Sequence, residues 1–348
     1  NVLSAGQKQG IARQCAILGG VPEEKTAYSI NMVCGSGMKA VMNAYSDIVA
    51  GFASVVIAGG TESMTNAGFV LPAEIRGGFK MGNLQAADHM VTDGLTDAFN
   101  NYHMGITAEN IAEQFGISRE EQDAFAYLSQ QKAIKAVDED KFKEEIVPFE
   151  IVSRKETIVF DKDEFPNRTS TPEKLAALRP AFKKDGTVTA GNASGVNDGA
   201  AFVMLAGEEA VRNFNLKPIA EIVAFGEGGV DPAVMGLGPV PAIRMALKRA
   251  GMQLTDMEIV ELNEAFAAQS LGVIRSLEKE HGVSREWIDE HTNIHGGAIA
   301  LGHPIGASGC RILVSLVHEL KIYNKKTGLA SLCIGGGMGT AIIVKAVN

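Results

Sequence analysis

The chain has 348 residues, 46% of them hydrophobic and 21% charged, a composition typical of a globular enzyme with two or three subdomains. Its formal charge of −9 at pH 7, without any block of Lys or Arg, argues against a nucleic-acid or anionic-membrane binder. Four cysteines without a CxxC pair argue against a disulfide framework and a zinc site, and indicate a reducing, cytoplasmic setting.

The first third of the chain predicts helices and strands in alternation, with small residues at the joints. The predicted elements are a helix over 7–18, a buried strand over 28–33, a helix over 36–50 and a short strand over 54–58 that ends at Gly59-Gly60. This order indicates α/β layering.

The middle of the chain predicts a separate excursion. Residues 66–104 show no steady hydrophobic period and predict loops, and two helices follow. The second of these begins at the capping box of Ser118 and reaches about residue 137. Residues 145–160 alternate like an exposed hairpin, and Pro172 opens a further helix.

The last third resembles the first in outline. It predicts a strand over 258–262, helices over 264–280 and 306–320, and a strand over 329–333 that leads into three glycines. A turn, a helix, a strand and glycines thus occur both at 34–60 and at 303–337, which suggests an internal duplication.

Two cysteines and one histidine lie beside glycine-rich turns. Cys34 precedes Gly-Ser-Gly and a helix, whose first N–H groups stabilise a thiolate or an oxyanion. A free cysteine is usually buried and inert, but this turn favours a nucleophile. His303 is either a turn residue satisfied by backbone or the base that activates Cys34. Cys333 is either a core residue at a strand end or a second reactive thiol.

Asn263 also has two readings. It is a good helix N-cap, and its amide is equally suited to hold a catalytic water. The chain has no phosphate-binding loop, no dinucleotide fingerprint and no HExxH, so neither a metal nor a cofactor is predicted. A Cys–His hydrolase would leave Cys333 and its glycines without a role.

Six motifs, in order along the whole chain, resemble the thiolase family, closest to its biosynthetic, short-chain acetyl-CoA C-acetyltransferases. The motifs are NMVCGSG at 31–37, YHMG at 102–105, TAGNAS at 189–194, NEAF at 263–266, GHP at 302–304 and CIGGG at 333–337. The resemblance implies reversible Claisen condensation of two acetyl-CoA molecules to acetoacetyl-CoA and coenzyme A. A degradative 3-ketoacyl-CoA thiolase of broader chain length, a Cys–His thioesterase and a catalytically silent acyl-CoA-binding fragment remain the alternatives.

The resemblance also implies an architecture. It implies the thiolase fold, in which two similar βαβαβαββ halves form an α-β-α-β-α layered core with an inserted loop domain. The halves fall at 1–65 with 187–217 and at 218–348, and the loop domain at 66–186 binds coenzyme A. The family's first strand and helix are absent before Val2, so a fragment is expected. A homotetramer, with a tetramerisation loop at 72–88, is implied as well.

The roles implied by the resemblance fall on particular residues. Cys34 takes the acetyl group, His303 assists its deprotonation, and Cys333 exchanges the α-proton of the second acetyl-CoA. One oxyanion hole uses His303 and a water held by Asn263, and the other uses the N–H groups of Cys34 and Gly335. The implied coenzyme A contacts are Ser194 on the pantetheine, His103, Met104, Met235, Ala265, Phe266 and Leu178 along the channel, and Arg168 at a phosphate.

Overall fold

The computed structural model describes residues 1–347. Its helices are α1 (Ile11–Leu18), α2 (Ser36–Val49), α3 (Met104–Phe115), α4 (Arg119–Asp138), α5 (Pro172–Ala176), α6 (Glu208–Asn213), α7 (Pro239–Ala250), α8 (Ala267–His281), α9 (Arg285–His291), α10 (Ala298–Leu301) and α11 (Ser308–Ile322). Its strands are β1 (Val55–Ser63), β2 (Phe69–Val70), β3 (Ala87–Asp88), β4 (Phe149–Val152), β5 (Thr157–Phe160), β6 (Asp198–Ala206), β7 (Ala220–Gly229), β8 (Ile259–Leu262), β9 (Thr327–Ile334) and β10 (Met338–Ala346). Within the described residues, no helix combines the length and the apolar character needed to cross a bilayer.

Two sheets enclose the central helices α2 and α11. The first sheet pairs β1 with β6 in antiparallel register, Val55 opposite Ala206 and Ser63 opposite Asp198. The second has the strand order β7-β10-β9-β8, in which only the β8–β9 pair is parallel. Side chains of α2 and α11 form one core cluster with the inner faces of both sheets. Helices α7 and α8 cover the other face of the four-stranded sheet in a second core cluster. The predicted α/β layering is therefore confirmed.

The two sheets differ in how fully they are buried. Every residue from Gly328 to Ile334 on β9 is buried, as expected for a central strand covered by helices on both faces. The β1–β6 pair alternates instead, and its outward face exposes Ile57, Phe202 and Met204. The four-stranded sheet is thus covered on both faces, whereas the two-stranded sheet presents apolar side chains at the surface.

Residues between β1 and β6 form the excursion that the sequence predicts. The capping box at Ser118 opens α4, whose N–H at Glu121 donates to the Ser118 hydroxyl at 3.2 Å. Strands β4 and β5 form the predicted exposed hairpin, and Pro172 opens α5. Helix α3 packs against Leu271 of α8, which holds the excursion on the core. The predicted boundaries of the halves and the loop domain stay a prediction.

Three local predictions are wrong. The predicted strand over 28–33 is irregular, because a turn around Val33 breaks the extended path and Tyr28 is exposed. The first helix begins at Ile11 rather than residue 7, after Gly10 in the left-handed region. Strand β1 does not end at Gly59-Gly60 but continues to Ser63, since the glycines allow close approach: a side chain at Gly60 would collide with the Gly306 backbone.

Candidate active site

Helices α2 and α11 begin with the same pair of residues, and these pairs touch. Ser36-Gly37 opens α2 and Ser308-Gly309 opens α11. A methyl group on Gly37 would lie 2.9 Å from the Cys310 amide nitrogen, and one on Gly309 would lie 2.7 Å from that of Met38. Only glycine permits backbones to approach so closely. The mutual contact brings the turns that precede the two helices, at Cys34 and His303, to one place.

The turn before α2 presents Cys34. Val33 has φ 46°, and a β-branched residue in the left-handed region is strained by about 1–3 kcal/mol. Ser36 holds this turn, since its hydroxyl accepts the Met32 N–H at 2.9 Å and donates to the Val33 carbonyl at 2.7 Å. The N–H of Val33 donates to Asn31 Oδ1 at 2.9 Å. These bonds stabilise a conformation that the chain would otherwise avoid.

The turn before α11 presents His303. Gly302, at φ 96°, allows the turn, and a side chain there would collide with Asn197. The His303 N–H donates to Asn197 Oδ1 at 3.0 Å. On the imidazole, Nδ1 lies 2.6 Å from Ser308 Oγ and 3.4 Å from Asn263 Nδ2. The ring is therefore held at Nδ1, and Nε2 has no hydrogen-bond partner among residues 1–347.

Glu62 of β1 ties this second turn to the first sheet. Its carboxylate is buried and accepts the N–H groups of Val2, Leu3 and Gly306, each at 2.9 Å. A buried carboxylate needs hydrogen-bond donors of this kind to offset its loss of water. The bond from Gly306 fixes the backbone that follows His303 against the sheet that follows Cys34, and the other two bonds fix residues 2 and 3 at the same place.

One cavity of about 180 Å³ collects most of the predicted site residues. Its mostly apolar wall adds Val33, Met64, Leu95, Phe182 and Ile305 to them. The predicted residues in the wall are Cys34, His103, Met104, Ser194, Met235, Ala265, Phe266, His303, Cys333 and Gly335. Two thiols, two imidazoles and the second glycine loop, which lie up to 301 positions apart in sequence (Cys34 to Gly335), thus share one small enclosed space.

Burial keeps both cavity cysteines protonated at rest. Burial raises the pKa of Cys34 to about 11, although the N–H groups of Gly335 and of Cys34 itself point at the sulfur and oppose the shift. The stabilisation of a thiolate expected from the helix start is therefore outweighed by loss of water. Burial, and then the charge of Cys34, also raise the pKa of Cys333. Each thiol needs a base before it can react at neutral pH.

His303 is neutral in the cavity. Burial lowers its pKa to about 4, and the positive charge of Arg311 acts in the same direction. A neutral imidazole has one nitrogen with a free lone pair, which is the form that a general base requires. Cys34 has a proton to lose, and His303 is able to accept one.

His103 also lies in the cavity wall, and a backbone hydrogen bond determines which of its ring nitrogens carries the hydrogen. It is the N-cap of α3, where its Nδ1 accepts the Gly105 N–H at 3.0 Å, and its ring stacks on Phe182 with centroids 4.5 Å apart. Because Nδ1 is an acceptor, the hydrogen of the neutral ring lies on Nε2. His103 is therefore a hydrogen-bond donor held in the wall of the cavity.

Two predicted coenzyme A contacts lie outside this cavity. Arg168 lines a neighbouring cavity of about 570 Å³, which meets the smaller one at Ala193. Both Nη atoms of Arg168 donate to Asp138, at 2.6 and 3.1 Å, so its guanidinium is already engaged, in a pair about half exposed to solvent. Leu178 lies against Gly191, which lines the larger cavity.

Position decides one reading of Asn263 and gives His295 and Cys310 structural roles. Helix α8 begins at Ala267 with Phe266 as its N-cap, so the N-cap reading of Asn263 is wrong. His295 satisfies local structure, with Nε2 3.0 Å from the Tyr323 hydroxyl, and Cys310 packs in the core beside α2. Among residues 1–347, no three His, Cys, Asp or Glu side chains are grouped to hold a metal ion.

Sequence reasoning missed four residues that position the site. They are Ser36, Glu62, Asn197 and Ser308. The repeated Ser-Gly at the two helix starts was a usable signal for both serines. Glu62 and Asn197 act through contacts with residues more than 100 positions away, and no local pattern marks them.

Comparison with known proteins agrees with the geometry. Residues 1–209 match the family model described as "Thiolase, N-terminal domain", and residues 216–346 match "Thiolase, C-terminal domain". The chain is 54% identical over 352 residues to the "Acetyl-CoA acetyltransferase" of Syntrophomonas wolfei, covering 99% of this chain and 86% of the relative. The protein of the same name from Chromobacterium violaceum is also 54% identical, with the same coverage.

Solved structures show the same fold. The crystal structure of the Bacillus anthracis acetyl-CoA acetyltransferase superposes with a TM-score of 0.92 at 44% identity, over 99% of this chain and 85% of that one. The crystal structure of human mitochondrial 3-ketoacyl-CoA thiolase gives a TM-score of 0.93 at 44% identity, with the same coverage.

Proposed function

Because the chain belongs to the thiolase family, we propose that it is an acetyl-CoA C-acetyltransferase, an acyltransferase that joins two acetyl-CoA molecules into acetoacetyl-CoA and coenzyme A and catalyses the reverse cleavage. The observation that carries the proposal is the convergence of Cys34, His303 and Cys333 on one enclosed cavity, with the Gly335 N–H directed at the Cys34 sulfur. Hydrolysis through Cys34 and His303 alone would not need a second buried thiol.

In the first half-reaction, Cys34 receives the acetyl group. Its sulfur attacks the carbonyl carbon of acetyl-CoA while His303 Nε2 takes the thiol proton. The bond from the acetyl carbon to the coenzyme A sulfur breaks, and that sulfur takes a proton from Cys333. The cavity then contains acetyl-Cys34, a protonated His303 and a Cys333 thiolate. Acetylation removes the Cys34 charge that would repel this thiolate.

In the second half-reaction, the Cys333 thiolate removes an α-proton from a second acetyl-CoA. Its raised pKa makes it a strong base, which suits a weakly acidic carbon. The enolate oxygen accepts hydrogen bonds from His303 Nε2 and from a water held by Asn263. The enolate carbon attacks acetyl-Cys34, whose oxyanion accepts the N–H groups of Cys34 and Gly335. Collapse releases acetoacetyl-CoA, and the Cys34 thiolate recovers its proton from His303.

The small cavity supports a short acyl group. About 180 Å³ must contain the acetyl group of Cys34 and the second acetyl group together, beside the side chains of Met104, Met235 and Phe266. A long acyl chain would need these three side chains to move. Steady-state cleavage of acetoacetyl-CoA and of longer 3-ketoacyl-CoA thioesters tests this point, and a preference for the longer chains would contradict it.

We further propose a homotetramer with 72–88 as its tetramerisation loop. This segment exposes three large apolar side chains, Phe79, Met81 and Leu84, which are unusual on a free surface. Sedimentation of the protein would give four chains per particle, and a monomer at micromolar concentration would contradict the proposal.

Cys333→Ala tests the catalytic proposal. Acetylation of Cys34 by acetyl-CoA, followed by the mass of the intact chain, should still occur, but more slowly, because Cys333 no longer protonates the leaving sulfur. Formation of acetoacetyl-CoA should fall about a thousandfold because its general base is lost. Cys310→Ala is the matched control, since it removes a buried thiol of α11 that lies outside the cavity, and it should leave both steps unchanged. Normal condensation by Cys333→Ala would show that another group takes the α-proton.

A further inference from the structure

The hydroxyl of Ser308 makes two contacts that together determine where His303 carries its hydrogen. Its Oγ lies 2.6 Å from His303 Nδ1 and 3.0 Å from the carbonyl oxygen of Pro304, and the serine is completely buried. A hydroxyl has one hydrogen to donate and two lone pairs that accept. A carbonyl oxygen can only accept, so the contact with Pro304 uses the hydroxyl hydrogen of Ser308. The same oxygen also accepts the N–H groups of Ala307 at 2.8 Å and of Ser308 at 3.0 Å.

The remaining contact must then run in the other direction. Because Ser308 donates its hydroxyl hydrogen to the Pro304 carbonyl, its oxygen can only accept from His303, and Nδ1 must be the donor. The Asn263 amide nitrogen is 3.4 Å from Nδ1, too far to compete with a contact of 2.6 Å. We infer that Ser308 is a positioning residue that holds the hydrogen of neutral His303 on Nδ1, leaving the Nε2 lone pair free for the cavity.

This inference rests on the proposed function and deepens it, because both half-reactions use Nε2. In acetylation, the S–H bond of Cys34 breaks and an N–H bond forms at Nε2, so Nε2 must begin without a hydrogen. In condensation, the same Nε2–H donates to the enolate oxygen and then returns its proton to the Cys34 thiolate. Throughout, one hydrogen stays on Nδ1 and is donated to Ser308 Oγ. The imidazole therefore never has to flip or to exchange this second proton.

A hydroxyl differs from a carboxylate in this position. A carboxylate beside Nδ1 would fix the same tautomer but would also hold the imidazolium through its charge. Ser308 is neutral, and Arg311 on the same helix disfavours the charged ring. His303 therefore gives its proton back readily, which the last step of each turnover requires.

Two substitutions at Ser308 test the inference through the acetylation half-reaction. Ser308→Ala removes the acceptor and should slow acetylation of Cys34 roughly tenfold, the effect expected for one well-placed hydrogen bond on a general base. Ser308→Thr retains the hydroxyl and should restore most of the rate. Ser315→Ala, which removes another buried serine of α11 bonded to Glu145, should have no effect. Wild-type acetylation rates in folded Ser308→Ala would overturn the inference.

The tautomer itself gives a second measurement that does not depend on the folding of the Ser308 variants. In the protein labelled with 15N-histidine, the His303 signals, assigned by their loss in His303→Asn, should place the hydrogen of the neutral ring on Nδ1. A hydrogen on Nε2 would overturn the inference, since Ser308 would then be the donor. Failure of the proposed function looks different, because the wild-type chain would then not acetylate Cys34 at all.

Discussion

Helices α2 and α11 begin with the same Ser-Gly pair but lie in different surroundings. The buried side chains of α2 are apolar except for Ser36. Helix α11 buries Ser308, Ser315 and Glu319 among its apolar residues. The strand after α11 is covered on both faces, whereas β1, after α2, leaves one face exposed. The comparison shows that the turns of Cys34 and His303 are positioned by the contact between the two helix starts, and that burial differs between the two sides of this contact.

Ionisable groups beneath α11 add to this difference. Glu261 and Glu319 are buried, Glu145 is half-buried near them, and loss of water raises the pKa of each, to about 7 for Glu145 and about 8 for Glu261. The positive charge of Arg311 opposes the shift in all three. The C-terminal half therefore contains groups that hold protons near neutral pH, which makes its stability depend on pH.

The largest expected effect is in hydrogen exchange. Because β9 is an inner strand of a sheet covered on both faces, its amides should exchange only through global unfolding, while those of β1 and β6 should exchange through local opening. Protection of 327–334 should exceed that of 55–63 by at least about a hundredfold, or ~3 kcal/mol. Hydrogen exchange with mass spectrometry measures both segments in one experiment. Equal protection would show that the exposed face of β1–β6 is covered in solution.

The next effect tests the contact between the two helix starts. Gly309→Ala should destabilise the protein by about 2 kcal/mol in urea unfolding, because its methyl group meets the backbone of Met38. Gly37→Ala should cost a similar amount, since it meets Cys310 in the same way. Gly68→Ala, which has open space around it, is the control. Unchanged stability in both helix variants would mean that the helices are able to separate.

The smallest effect is the pH dependence of stability. The pKa of Glu261 is raised from 4.5 to about 8 in the folded chain, so its contribution is fully present below pH 4.5 and is lost as pH rises toward 8. Glu261→Gln stays neutral and should be more stable than wild type at high pH, by about 1 kcal/mol, with a flatter profile in urea unfolding from pH 5 to 9.

Glu258→Gln is the matched control for this prediction. The N–H of Lys326 lowers the pKa of Glu258, so this carboxylate contributes stability above its unfolded pKa and loses it as pH falls. Its substitution should therefore lower stability by a constant amount from pH 5 to 9 and leave the slope over that range unchanged. A wild-type slope in Glu261→Gln would show that the proton is held elsewhere in the cluster.

Much of the fold could be predicted from the sequence because its signals are local. The capping box of Ser118, the proline at the start of α5 and the alternation around β4 and β5 each report on a few neighbouring residues. The motif residues of the cavity could be named as well, since Cys34, His303 and Cys333 lie beside glycine-rich turns.

Other features could not be predicted because they depend on partners far along the chain. The apolar pattern over 28–33 reads as a strand, but no neighbouring strand pairs with it among residues 1–347. Gly59 and Gly60 read as a strand end, whereas they mark where β1 meets β6 and the Gly306 backbone. The buried role of Glu62 exists only once Val2 and Gly306 are in place.

The glycine contact between α2 and α11 has a consequence for how such a site can change. The Cys34 sulfur and the His303 imidazole are brought together by a backbone contact at Gly37 and Gly309. Their positions therefore do not depend on the other side chains that line the cavity. Substitution of Met64, Leu95 or Met235 would change the shape of the cavity without displacing Cys34 and His303, the pair that we propose to transfer the acyl group. Substitutions in the cavity wall can therefore change which acyl groups fit while the positions of Cys34 and His303 are retained.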